Sequence, residues 1–224
     1  MTKEKKLVVY GMGETAEIVA DYFQRDSNYE VVAFTVDSAY RSADTVNGLP
    51  VVNFEEVTAL YPPAEYEMFV AASFSKLNRI RAAMYQKAKD AGYRCASYVN
   101  SNAFKWHNVE IGENVFVFEE NVLQYKVKIG NNVILWSGNH IGHQTQIGDH
   151  CFISSHVVIS GFCNIGSSCF LGVNSSFNDG ITMGKDSITG NSTVVVKNLE
   201  EGGIYVGNPA KKIKSSYEAF DVTP

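Results

Sequence analysis

Nowhere among the 224 residues do about 20 apolar residues run together, the length a bilayer-crossing helix needs, so no membrane span is expected. The N-terminus Met-Thr-Lys-Glu-Lys-Lys passes straight into a short apolar strand without a cleavable signal pattern. Together these features predict a cytoplasmic protein. Basic residues gather into no long stripe and the formal net charge is −5, which leaves nothing to neutralise a phosphate backbone and argues against a nucleic-acid partner. The four cysteines, Cys95, Cys151, Cys163 and Cys169, form no C-x-x-C pair. Neither a metal site nor a disulfide is expected of them; they read as small buried apolar residues.

Helical periodicity is missing from the second half of the chain, and a period of six stands in its place. An aliphatic or aromatic residue returns at Ile111, Val117, Leu123, Ile129, Leu135, Ile141, Ile147, Ile153, Ile159, Ile165, Leu171, Phe177 and Met183, lapses at Thr189 and resumes at Val195. Eight of these fifteen positions are followed directly by glycine, which neither a helix nor an alternating strand requires. Three hexads would close one triangular coil, its inward residues on the flat faces and Gly, Asn or Asp turning the corners at positive φ. A second inward ladder is expected at Val115, Val133, Thr145, Cys151, Val157, Cys163, Cys169 and Ser175. The expectation is a parallel β-helix.

The first hundred residues read differently. Lys6 to Tyr10 predicts a buried strand, followed by Gly11-Met12-Gly13-Glu14-Thr15-Ala16 and a helix pattern at Ile18, Val19, Tyr22 and Phe23. Further strands are expected at Glu30 to Val36, Glu67 to Ala72 and Cys95 to Val99, with a helix from Leu77 to Ala91, which implies a small parallel sheet. Gly11 and Gly13 would admit a phosphate at the helix N-terminus, while Asp37 and Ser73 end neighbouring strands. Two domains follow: residues 1–100, and a β-helix over 105–214 after the polar stretch Asn100 to His107, with 215–224 as a C-terminal tail.

A filled β-helix has no interior site, so chemistry is expected on its outer faces or against a neighbouring copy. Four of the five histidines, His140, His143, His150 and His156, fall close together and off the inward ladder. His143, directly after Gly142, should project outward and suits a general base. His140, placed at the preceding corner, competes for that role, and Asn139 is a candidate to fix a ring nitrogen of a nearby histidine.

The hexads, the segment Ile141-Gly-His-Gln-Thr-Gln-Ile147-Gly-Asp-His-Cys-Phe-Ile153 and the ending Tyr205-Val-Gly-Asn-Pro-Ala-Lys211 resemble the bacterial sugar acyltransferases of the sialic-acid O-acetyltransferase type. The resemblance implies an α/β Rossmann-like N-terminal domain followed by an all-β left-handed parallel β-helix, assembled as a homotrimer. It implies an acetyl-CoA-dependent transferase that acylates an amine or hydroxyl of a nucleotide-linked sugar in surface-glycan biosynthesis, without metal or covalent intermediate. His143 matches the family's catalytic base, but Gln144 stands where the family carries Glu or Asp, and His140 is left to share the work. By the same likeness Gly161 leaves room for the pantetheine arm, and Asn174, Ser175, Lys197, Lys211 and Lys212 contact coenzyme A. Gly11, Gly13, Asp37 and Ser73 would hold the nucleotide sugar. Two other functions stay open: a dinucleotide-binding oxidoreductase merely trimerised by its β-helix, suggested by Gly11 to Ala16 with Asp37, and a non-catalytic nucleotide-sugar-binding β-helix protein, suggested by Gln144.

Overall fold

A computed structural model describes residues 2–223, and these divide into two compact units, residues 2–73 with 81–98, and residues 74–80 with 99–223.

In the first unit the apolar runs become β1 (Lys5–Tyr10), β2 (Tyr29–Val36), β4 (Leu49–Asn53) and β5 (Tyr66–Val70), side by side and parallel in the order β4-β2-β1-β5. The short β3 (Thr45–Val46) runs antiparallel to β4 across Asn47 and Gly48, both at positive φ as a two-residue hairpin demands. α1 (Glu14–Arg25) buries Ala16, Val19, Ala20 and Phe23; of the expected apolar positions Val19 and Phe23 are buried, while Ile18 and Tyr22 are half-buried. The strand expected at Cys95 to Val99 is shorter: Cys95 makes an isolated bridge to Met68, and only Tyr98–Val99 forms a strand.

The second unit contains three sheets built mostly from two-residue parallel strands. Each strand pairs with the one 18 residues further on, as Leu123 with Ile141 and Ile141 with Ile159, so three hexads make one coil. Both inward ladders are buried apart from the half-buried Ile111 that opens the first, and at Thr189, where the aliphatic period lapses, the hydroxyl donates to Ser175 Oγ inside the stack. The small polar ladder members donate in the same way to coil carbonyls: Thr145 Oγ1 to Ser160 at 2.9 Å, Cys151 Sγ to Gly166 at 3.1 Å and Cys163 Sγ to Asn178 at 3.2 Å. Burial pushes the Cys163 and Cys169 thiols up, so these buried groups are packing elements rather than nucleophiles. Cys163→Ala is expected to cost about 1–2 kcal/mol in chemical denaturation, from one lost sulfur and its hydrogen bond.

The corners correct one sequence expectation. Positive φ falls three residues after each inward aliphatic, at Asn114, Lys126, Asn132, Gln144, His150, Phe162, Ser168 and their equivalents, and only Gly138 and Gly180 are glycines there. The recurrent hexad glycine sits two residues earlier and serves close approach instead: a Cβ on Gly142 would lie 2.5 Å from the Ser160 carbonyl carbon in the next coil.

Two segments pack on this stack unannounced by the repeat. Phe74 lies against Phe152 and Phe170, with ring centroids 5.3 and 4.7 Å away, and Asn78 Nδ2 reaches the Ser168 and Cys169 carbonyls. The last residues, expected as a tail, form a short helix (Ser216–Phe220) after the antiparallel pair Gly203–Val206 and Lys211–Ser215, with Ser216 Oγ donating to the Asp186 carbonyl at 2.6 Å.

Candidate active site

Ile141 anchors one strand end inward, which forces the chain outward at Gly142 and His143. The His143 amide donates to Gln124 Oε1 at 3.0 Å, and its ring packs edge-on against Phe162, centroids 4.8 Å apart. The same ring occupies the space over Gly161: a Cβ built there would stand 2.4 Å from Cε1 and 2.6 Å from Nε2 of His143. Among the described residues no hydrogen bond reaches either ring nitrogen. Gly161 therefore makes room first for the imidazole, where the family likeness gives it to a pantetheine arm, and its own N–H donates to Asp179 Oδ1 at 2.7 Å.

The neighbouring candidates separate cleanly. Gln144 turns the corner at φ 58°, its amide donates to the Tyr125 carbonyl, and its exposed side chain makes no hydrogen bond among the described residues. It does not orient His143. His140 lies in a strand between Val122 and Val158 rather than at a corner, and no ring contact or hydrogen bond joins it to His143 among the described residues. Asn139 is buried, its amide spent on the Trp136 carbonyl and the Val157 amide, and serves no histidine. His150 Nδ1 pairs with Asn132 Nδ2 at 2.9 Å, and the exposed His156 rests against Gly138.

Of the residues assigned to coenzyme A, Ser175 is fully buried on the inward ladder and accepts from Thr189, so it cannot touch a ligand on the outer face. Asn174, Lys197, Lys211 and Lys212 are exposed, and Lys212 approaches Glu200 at 3.7 Å. Phe162, Gln124 and Asp179 carry no motif that marks them, although Gly161 and Asp179 follow His143 at the 18-residue coil spacing that would have found them.

In the first unit, Gly11, Asp37 and Ser73 gather at the carboxyl ends of β1, β2 and β5. Gly11, at φ 139°, would carry a Cβ 2.5 Å from the Ala71 carbonyl oxygen, so packing alone demands glycine. Gly13 precedes α1 with nothing within 4 Å of its Cβ position, which leaves the helix N-terminus open to an anion. Asp37 is already engaged: Tyr10 donates its hydroxyl at 2.5 Å and Lys87 Nζ stands at 2.6 Å. Burial raises its carboxyl, but the bonds from Lys87 and Tyr10 outweigh that and hold it below the ordinary value. The Ser73 carbonyl accepts from Arg81 Nη1 at 3.0 Å. Among the described residues no group of three or more metal-ligating side chains converges, and no helix is long and apolar enough to cross a membrane.

A bacterial transferase hexapeptide family, six repeats long, matches residues 126–161. No curated protein matches at the sequence level. Among solved structures, a histidine-to-asparagine variant of perosamine N-acetyltransferase from Caulobacter crescentus, in complex with CoA and GDP-perosamine, is 26% identical. It superposes with a TM-score of 0.83 over 94% of this chain and 97% of its own. The acetyltransferase domain of PglB from Neisseria gonorrhoeae is 25% identical, with a TM-score of 0.83 over 94% of this chain and 100% of its own. WeeI from Acinetobacter baumannii, 22% identical with a TM-score of 0.79 over 94% of this chain and 100% of its own, shares the fold. The repeat over residues 126–161 matches the hexapeptide transferase family, and the fold is similar to that of solved sugar acetyltransferases.

Proposed function

We propose that this protein is an acyl-coenzyme A-dependent transferase that moves an acetyl group to an amine, or hydroxyl, of a nucleotide-linked sugar. The observation that carries the reading is His143: an outward imidazole with both nitrogens unbonded, seated over Gly161 in a chain similar to enzymes with bound CoA and GDP-perosamine. In this reading the acceptor nitrogen forms a bond to the thioester carbonyl carbon, the C–S bond breaks, and His143 takes the acceptor's proton and returns it to the leaving thiolate. The first unit acts as a Rossmann-like nucleotide-binding domain, where the open α1 N-terminus behind Gly13 receives phosphate. Asp37 meets the ribose or base only through the oxygen lone pairs left by Tyr10 and Lys87. The exposed Lys197 and Lys211 receive coenzyme phosphates, the β-helix is left-handed, and a homotrimer in the cytoplasm supplies the second wall of each site.

The test is release of free thiol from acetyl-CoA in the presence of UDP-, GDP- and dTDP-linked amino sugars. Turnover with one of them, falling about 10³-fold in His143→Asn with retained melting temperature, is the expected result. No thiol release with any acceptor, or full activity in His143→Asn, overturns the reading.

A further inference from the structure

The residue after His143 carries no charge, yet an imidazole that accepts a proton gains from a nearby carboxylate. One carboxylate stands at the right place by coil spacing. Residues 143, 161 and 179 succeed one another at the same corner, one per coil, with strands about 4.8 Å apart. The His143 ring rests on the Gly161 Cα, and the Gly161 N–H points to Asp179 Oδ1 at 2.7 Å. Ordinary backbone dimensions then keep that oxygen within about 8 Å of Nε2, with a single glycine and no side chain between. The field of Asp179 already reaches inward: burial first, then its charge, push the Cys163 thiol up against two backbone hydrogen bonds. By coil register Tyr125 and Lys126 stand one coil before His143 and Lys197 one coil after Asp179, and Lys126 and Lys128 line a groove with Gln144 and Phe162. Gln144 offers no negative charge, and its side chain makes no bond among the described residues.

We infer that Asp179 is the positioning carboxylate for His143, holding the Gly161 peptide that seats the imidazole and supplying the negative charge that stabilises it when protonated. The inference rests on the proposed role of His143, but its first test does not require activity. In NMR titration of the His143 ring, assigned by its loss in His143→Asn, Asp179→Asn should move the midpoint to lower pH, because asparagine can keep the Gly161 bond and removes only the charge. In kinetics the acid limb of kcat/KM should move to lower pH by the same amount and the plateau fall several-fold. KM for acetyl-CoA should stay put, and Gln144→Glu in the Asp179→Asn background should restore the limb. Asp179→Ala, which also frees the Gly161 amide, should lose more. An unchanged His143 titration in a folded Asp179→Asn protein overturns the inference even if the transferase is active. An inactive wild-type enzyme whose His143 titration still shifts would sink the functional reading alone.

Discussion

Gly161→Ala is expected to lower turnover by about 100-fold while leaving the melting temperature within a few degrees of wild type. The added methyl would stand 2.4–2.9 Å from three atoms of the His143 ring, and these side-chain atoms are its nearest neighbours. A ring at the end of two rotatable bonds can swing aside, so the fold survives. The imidazole cannot then keep its seat, and misplacing a reacting group by about 1 Å costs on the order of 10² in rate. Gly166→Ala is the control with the opposite signature: its Cβ would meet the Lys185 amide nitrogen at 2.5 Å and the Gly184 carbonyl carbon at 3.0 Å, atoms locked in the next coil. That variant should lose about 1–3 kcal/mol of stability. If Gly161→Ala kept full kcat, His143 would not need its observed place, and the proposed base would be wrong.

These two glycines carry the same letter one hexad position apart, Gly166 directly after Ile165 and Gly161 two residues after Ile159, and do different work, which is why the repeat is legible in the sequence and part of its meaning is not. A period of six with fixed inward residues has one geometric solution, so the coil, both ladders and the outward placing of His143 follow from spacing alone. Glycine has two uses, tolerance of positive φ and absence of a Cβ, and spacing does not distinguish them. The first is the use expected from the repeat, whereas only Gly138 and Gly180 are corner glycines and several corners are turned by residues such as Lys126, Gln144 and Phe162. Ser175 failed as a ligand contact for a related reason: a small polar residue on the inward ladder satisfies a buried partner rather than a ligand. Asp179 lies 36 positions from His143, and only the 18-residue coil brings it near. Residues 74–80 have no hexad signal, since their partners are specified by shape and charge on a surface the repeat does not encode.

That segment leads to the second large effect. Arg79 places Nη2 2.7 Å from Asp186 Oδ1, a carboxylate only 4% exposed, and Tyr217 adds its hydroxyl at 3.3 Å. Asp186 turns its corner at φ 58° and has little access to water, so its charge depends on these donors for solvation. Arg79→Met keeps most of the aliphatic stem and removes the guanidinium, leaving a buried carboxylate without its cation. The expected loss is about 3 kcal/mol, a fall of roughly 10 °C in melting temperature for a chain of this size. Most of that loss comes from stranding a desolvated charge rather than from the strength of the ion pair itself, and a double substitution separates the two. Arg79→Met with Asp186→Asn should recover more than half of the loss, because an amide costs far less to bury than a carboxylate. Calorimetry showing Arg79→Met within 2 °C of wild type, or no recovery in the double variant, would mean that water or a rearranged Tyr217 solvates Asp186 as well as arginine does.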